Sequence, residues 1–113
     1  MKVTVKRTKV YERKIRKLLP APDIRAMENG IAENPLRWPL VQGTGGVRKA
    51  RVARPGGGKS GGLRTAYYFH AKGPTVYMLT VYAKNEMDNL SDADKAALMK
   101  LVKAIKAAAT NGD

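Results

Sequence analysis

The chain has 113 residues, no cysteine and one histidine, and its 22 Lys and Arg against 9 Asp and Glu give a formal net charge of +13. This length suits a single domain over residues 1–113. The missing cysteines exclude disulfides and thiol nucleophiles, and the single histidine excludes a multi-histidine metal site. No apolar run is long enough to span a membrane, and the basic N-terminus lacks the apolar core of a signal peptide. We therefore expect a cytoplasmic protein with no membrane partner.

The positive charge is concentrated in two stretches of the chain. Eight cations lie within residues 1–17, and no Asp or Glu occurs between Asn34 and Asn85. A globular surface normally mixes both signs, so a long stretch without carboxylates indicates a surface that attracts a polyanion. Nucleic acid is the first candidate, ahead of an anionic membrane or an acidic protein.

The first third of the chain predicts a short strand and two helices. Residues 3–5 have the composition of a strand or of its beginning. Thr8 suits the N-cap of a helix that runs to about Leu19, with apolar residues at helical spacing. A second helix begins at Pro22 or Asp23 and ends before the next proline, because the residue that precedes a proline avoids the helical conformation.

The remainder predicts strands and one more helix. Alternating and β-prone residues predict three strands, over 47–53, 63–71 and 75–83. A flexible glycine-rich hairpin loop over 53–62 and a turn join them into an antiparallel meander. Ser91 and Asp94 have the spacing of a capping box that begins the last helix. The order β-α-α-β-β-β-α predicts an α+β fold, with the helices packed on one face of a curved, mainly antiparallel sheet.

Side-chain parity divides the three strands into two faces. One face is expected to pack under the helices and carries Ala50, Val52, Tyr67, Phe69, Leu79 and Val81. The other is expected to be open and carries Lys49, Arg51, Arg64, Tyr68, Tyr82 and Lys84. Cations bind phosphates and aromatic rings stack unpaired bases, so this face predicts binding of single-stranded nucleic acid. Further candidate RNA contacts are Arg48, Arg54 and Lys59.

The central motifs resemble those of a known family. The segments 43–51, 58–64 and 79–86, the pair Tyr67-Tyr68 and a following Leu-Ser helix start are similar to the HigB branch of the RelE/ParE toxins. The resemblance covers nearly the whole chain and implies a RelE-like fold. It also implies the toxin of a type II toxin–antitoxin system, an endoribonuclease that cuts mRNA in the ribosomal A site and needs no metal or other cofactor.

The resemblance also implies the partners. These are mRNA, the A site of the small ribosomal subunit and a cognate antitoxin, expected to be a helix-turn-helix protein of the HigA type encoded next to the toxin. DNA would be contacted only indirectly, through the complex with the antitoxin.

Metal-free RNA cleavage uses the 2′-hydroxyl of the substrate as nucleophile and leaves a 2′,3′-cyclic phosphate. It needs a base, a stabiliser of phosphate charge and an acid. On the family pattern Lys49 is the expected base or charge relay, since Arg51 replaces a lysine and does not deprotonate. Arg64 is expected to clamp the scissile phosphate, and Lys84, which replaces an arginine, to act as the acid. The family's C-terminal catalytic tyrosine has no evident counterpart, so Tyr82 is expected to supply stacking or a proton.

Three questions stay open at the level of sequence. His70 shares the parity of the open face but lies near the far end of its strand, which favours a structural or surface role over catalysis. A ParE-like gyrase poison would share the fold without the cationic site. A non-catalytic RNA-binding or ribosome-associated module would bind RNA and leave no cut product.

Overall fold

The computed structural model describes residues 2–53, 62–84 and 90–111. Its elements follow the predicted order, with three helices and four strands in that part of the chain. They are β1 (Thr4–Arg7), α1 (Lys9–Leu18), α2 (Ala21–Glu33), β2 (Val47–Val52), β3 (Leu63–His70), β4 (Thr75–Ala83) and α3 (Asp92–Asn111). The predicted glycine-rich loop lies outside the described residues, apart from its two ends. None of the described helices is long and apolar enough to cross a bilayer.

The starts of α1 and α3 are those that the sequence predicts, whereas α2 begins at Ala21, one residue before the predicted Pro22. The Thr8 hydroxyl oxygen accepts a hydrogen bond from the backbone N–H of Tyr11 at 3.1 Å, which caps α1. At α3 the cap is reciprocal. The Asp94 N–H donates to Ser91 Oγ at 3.1 Å, and the Ser91 N–H donates to the Asp94 carboxylate at 3.3 Å. Both pairs satisfy N–H groups that a helix start otherwise leaves without a partner.

The sheet is mixed, with strand order β1-β4-β3-β2. The antiparallel meander of β2, β3 and β4 is confirmed. β1 adds a parallel edge and pairs with β4 only from Thr75 to Met78. Past that point α1 lies beside β4, because the Thr8 hydroxyl donates to the Leu79 carbonyl at 2.9 Å. On the edge where β1 pairs with its first half, the second half of β4 therefore borders a helix, while its other edge stays paired with β3.

The α+β class is confirmed, but the helices do not all pack on one face. Tyr11 and Ile15 of α1 and Ile24 of α2 share a core with one face of the sheet. Leu98 and Val102 of α3 belong to a second core on the opposite face. The physical reason lies in β4, whose sequence TVYMLTVYA is apolar on both faces and therefore requires a cover on each.

A β-bulge corrects the expected position of Leu79. The pairing of β3 with β4 shifts register at Ala66/Tyr67, so that Tyr67 lies opposite Met78 while Ala66 lies opposite Thr80. The extra residue, Leu79, turns to the α3 side, and Met78 takes its place under α1 and α2. A bulge inserts one residue and reverses the alternation beyond it, which parity counting does not include.

A buried polar network joins β1, α1 and α2. The Arg7 guanidinium donates to both carboxylate oxygens of Glu28, at 2.7 Å and 2.9 Å, and the Tyr11 hydroxyl donates to Glu28 at 2.7 Å. Burial and then the hydrogen bond to Glu28 raise the pKa of the Tyr11 hydroxyl far above its ordinary value. Tyr11 is therefore always a donor, and the carboxylate accepts from two elements at once.

Candidate functional site

Strand register brings the predicted basic residues together. Arg51 of β2 lies directly opposite Arg64 of β3, and Arg64 lies directly opposite Tyr82 of β4. Lys49 is two residues from Arg51 on the same side of β2, opposite Ala66. Directly opposed residues have their Cβ atoms about 4.5–5.5 Å apart. Three neighbouring strands thus place two guanidinium groups and a phenol in one row, with an ammonium beside it.

Gly62 connects Lys84 to this row. The backbone N–H of Lys84 donates to the Gly62 carbonyl at 3.0 Å. A Cβ added at Gly62 would lie 3.4 Å from a guanidinium nitrogen of Arg64, so the two residues are in van der Waals reach. Lys49, Arg51, Arg64 and Lys84 form what we call the basic cluster.

The basic cluster has no described carboxylate as a partner. In residues 2–53, 62–84 and 90–111 the ion pairs are Arg7 with Glu28 and Glu12 with Arg16. Arg51 and Lys84 are exposed, and Lys49 and Arg64 are half-buried. A guanidinium that is not engaged by a carboxylate offers its planar donors to phosphate oxygens, so this edge of the sheet has the chemistry of a phosphate site.

Tyr82 differs from the prediction, because it does not stand on an open face. It is 6% exposed and packs with Leu98 of α3, so no base can stack on it in this conformation. Its hydroxyl is buried without a hydrogen-bond partner in the described part of the chain. Burial raises the pKa of Tyr82; the positive charge of Arg64 lowers this pKa, and the negative charge of Asp94 raises it further. The hydroxyl is therefore a proton donor at neutral pH and not a base.

Tyr82→Phe separates the chemical and structural roles of that hydroxyl. Removing a buried hydroxyl that lacks a partner should leave the free energy of unfolding unchanged or raise it by up to about 1 kcal/mol. If the hydroxyl donates a proton during RNA cleavage, the cleavage rate should fall about a hundredfold or more. Denaturant unfolding and RNA cleavage assays on the same preparation measure both. Unchanged cleavage would remove Tyr82 from the site.

Tyr68 is also covered by α3, against the open-face prediction. It is 8% exposed, its hydroxyl is 3.0 Å from Nδ1 of His70, and the ammonium of Lys106 lies 5.6 Å from its ring centre. Burial raises the pKa of Tyr68. His70 is thus engaged with Tyr68 at the far end of β3, away from the basic cluster, in agreement with a structural role.

The other predicted RNA contacts lie elsewhere. Arg48 has the opposite parity, and its guanidinium donates to the carbonyl of Trp38 at 2.6 Å and to that of Leu36 at 3.2 Å. These hydrogen bonds of Arg48 hold the segment after α2 against β2. Arg54 and Lys59 lie outside the described residues.

Two features of the structure, one at the site and one in the core, were missed at the sequence level. The first is the cover by α3, which the doubly apolar pattern of β4 could have indicated. The second is the buried carboxylate of Glu28, which follows Ile24 by four residues and therefore falls on the apolar stripe of α2. Within the described ranges, no group of three His, Asp or Glu side chains could hold a metal ion.

Comparison with known proteins agrees with this architecture. A family model described as the RelE toxin of the RelE/RelB toxin–antitoxin system matches residues 4–112. Among solved structures, the chain is similar to the E. coli toxin RelE, in a double arginine-to-alanine mutant in the free state. The match has a TM-score of 0.58 at 15% sequence identity and covers 78% of this chain and 90% of that one. At this identity the structural match shows a shared fold.

Proposed function

The chain belongs to the RelE family of toxins from toxin–antitoxin systems, and from that premise we propose that it is a metal-independent endoribonuclease that cuts mRNA in the ribosomal A site. The observation that supports this most strongly is the row in which Arg51 lies opposite Arg64 and Arg64 lies opposite Tyr82. This row, together with Lys49 and Lys84, contains side chains for each step of cleavage by the 2′-hydroxyl of the RNA.

In the proposed reaction Lys49, in its neutral form, takes the proton from the 2′-hydroxyl. The 2′-oxygen then attacks the adjacent phosphorus, and the bond from phosphorus to the 5′-oxygen breaks. Lys84 gives a proton to that 5′-oxygen, so the products are a 2′,3′-cyclic phosphate and a free 5′-hydroxyl. Arg64 holds the phosphate oxygens bidentately, and Arg51 adds positive charge where negative charge develops.

The part that Tyr82 takes in this scheme depends on whether its hydroxyl can reach the RNA. Its protonated hydroxyl lies in the same row as Arg64 but is covered by α3, so it reaches RNA only after the α3 side of the row opens. Arg54 and Lys59 are proposed as phosphate contacts from the basic loop. Arg48 and Tyr68 are proposed to support the site through their bonds within the fold, since both side chains are engaged there.

We place the chain in the HigB-type branch on its central motifs and propose a cytoplasmic toxin. Its antitoxin is proposed to be a helix-turn-helix protein of the HigA type from the neighbouring reading frame, and DNA is contacted only through that protein. The family implies an antitoxin partner; the type of antitoxin is the proposal.

A short pulse of expression followed by mapping of RNA ends tests the function. We expect new mRNA ends within codons that occupy the A site, with 2′,3′-cyclic phosphates upstream and 5′-hydroxyls downstream. The purified chain, treated with EDTA and then freed of it, should cut mRNA on stalled ribosomes as fast as the untreated chain. Double-strand DNA breaks without new RNA ends would instead identify a gyrase poison, and RNA binding without any cut would identify a non-catalytic module.

A further inference from the structure

The chain between α2 and β2 lies along the outer edge of β2, and we call residues 35–41 the edge segment. Four of its backbone carbonyls accept hydrogen bonds from β2 and β3, namely those of Pro35, Leu36, Trp38 and Pro39. The donors are the Tyr67 hydroxyl, the Arg48 guanidinium and the Lys49 N–H, at distances between 2.6 Å and 3.2 Å. The edge segment rearranges only by breaking several of these bonds, so it presents its side chains in fixed positions.

Arg37 is the exposed cation of the edge segment. The central carbon of its guanidinium lies 4.8 Å from the ring centre of Trp38, and this indole is half-buried against the core under α1 and α2. Stacking on an anchored ring fixes the position of the guanidinium, and because Arg37 is exposed its N–H donors face solvent. The ion pairs in the described part of the chain do not include Arg37. Arg37 is therefore a preorganised donor that no described carboxylate engages.

The edge segment meets the basic cluster at Lys49. The Lys49 N–H donates to the Pro39 carbonyl at 3.1 Å, so Pro39 lies beside Lys49 as a neighbouring strand would, with the backbones about 5 Å apart. Lys49 lies opposite Ala66 on the α3 face of the sheet, whereas Trp38 packs on the face of α1 and α2. An RNA strand that is bound at the basic cluster reaches Arg37 by passing over the edge of β2.

We propose that Arg37, held on Trp38, binds a phosphate that flanks the scissile one in the substrate RNA. The inference rests on the proposed function, since it extends the path of the RNA beyond the basic cluster. A guanidinium binds two phosphate oxygens through parallel N–H donors, which suits a planar group that a neighbouring ring holds in place. Arg37 holds the strand and does not contact the reacting atoms, so it is a binding residue.

Two exposed leucines of the edge segment raise the alternative of a protein partner. Leu36 is 62% exposed and Leu40 is 59% exposed. The centre of a protein interface is depleted in charged residues, whereas here an exposed cation, Arg37, lies between the two leucines in the chain. The sequence also has no Asp or Glu between Asn34 and Asn85, which leaves the positive field of this region uncompensated. Both observations favour RNA.

The test is a salt series of RNA binding. The probe is a single-stranded RNA with 2′-O-methyl groups, which is not cut because its 2′-oxygen nucleophile is blocked, and its affinity is measured by fluorescence anisotropy. Each phosphate contact with a single strand contributes about 0.7 to the slope of log K against log salt concentration. Arg37→Ala should therefore reduce that slope by about 0.7 and weaken binding about fivefold at about 0.1 M salt.

Three further variants separate the charge of Arg37 from its positioning. Arg25→Ala removes the same charge from an exposed place on α2 and should leave the slope as it is. Trp38→Leu removes the ring beside the guanidinium but keeps the charge, so the slope should stay at the wild-type value while the affinity falls about two- to fivefold. Circular dichroism checks that this variant folds. Arg37→Lys alters no core contact and should likewise keep the slope and lose affinity.

The outcomes distinguish this contact from the function on which it rests. Equal slopes for Arg37→Ala and Arg25→Ala would overturn the contact, and so would failure of the wild-type chain to bind the RNA. An unchanged slope for Arg37→Ala, combined with lost binding of the product of the neighbouring reading frame in Leu40→Asp, would assign the edge segment to a protein. Cleavage on stalled ribosomes is measured separately. A chain that shows the change of slope but never cuts RNA would reject the ribonuclease and keep the RNA contact of Arg37.

Discussion

Arg64→Ala should reduce mRNA cleavage about a thousandfold while leaving the fold intact. Arg64 lies at the centre of the row, opposite both Arg51 and Tyr82, and its guanidinium is half-buried. A preorganised donor aimed at developing phosphate charge contributes about two to three orders of magnitude in rate, and here the same group also binds the ground-state phosphate. Single-turnover cleavage of a defined mRNA on stalled ribosomes measures the effect, and growth after induction measures it in cells.

Two variants sharpen that result. Arg64→Lys keeps the charge but loses the bidentate fork, so it should recover only part of the rate. Arg25→Ala removes the same charge from an exposed position on α2, away from the basic cluster, and should cleave at the wild-type rate. If Arg64→Ala and Arg25→Ala behave alike, net charge and not the row governs cleavage, and the assignment of Arg64 fails.

Glu28→Ala should lower the free energy of unfolding by about 2–3 kcal/mol, the largest stability effect among the variants described. The carboxylate is buried and accepts from the Tyr11 hydroxyl and from Arg7. Its loss leaves the buried hydroxyl without an acceptor, a cost of about 1–3 kcal/mol. Arg7 is 37% exposed, so water replaces much of what its ion pair contributes. Urea unfolding followed by far-UV circular dichroism is the measurement.

Glu12→Ala is the matched control for that experiment. A guanidinium nitrogen of Arg16 is 3.5 Å from a carboxylate oxygen of Glu12, in an i,i+4 pair. The side chain of Glu12 is 43% exposed and that of Arg16 is 72% exposed. Such a pair contributes about 0.3–0.5 kcal/mol. Glu28→Gln, which keeps an acceptor for Tyr11, should lie between the two. Equal stability of all three variants would show that the buried network does not hold β1, α1 and α2 together.

The two sets of experiments address separate layers of the molecule. Arg64 belongs to the strand edge beside α3, and Glu28 lies in the core under α1 and α2. Loss of cleavage without loss of stability in Arg64→Ala would show that the face of the sheet opposite α1 and α2 carries the site. Loss of stability in Glu28→Ala would show that the layer of α1 and α2 supports the sheet.

The sequence by itself determined the order of elements, the caps of α1 and α3, and the side of their strands on which Arg51 and Arg64 lie. Thr8 and the pair of Ser91 and Asp94 act locally, since a cap involves residues three positions apart, and local rules are sufficient to find it. Strand parity placed Arg51 and Arg64 on one side, because alternation within a regular strand is also a local property.

Only the tertiary structure decided which face of the sheet each helix covers. The bulge at Leu79 changes the phase of β4, and the choice depends on pairing with β3, which parity within one strand does not contain. α3 covers Tyr68 and Tyr82 because both faces of β4 are apolar and each must be removed from water. The opposite charges of Glu28 and Arg7 come into contact only after β1 and α2 pack, since the two residues are 21 positions apart in the chain.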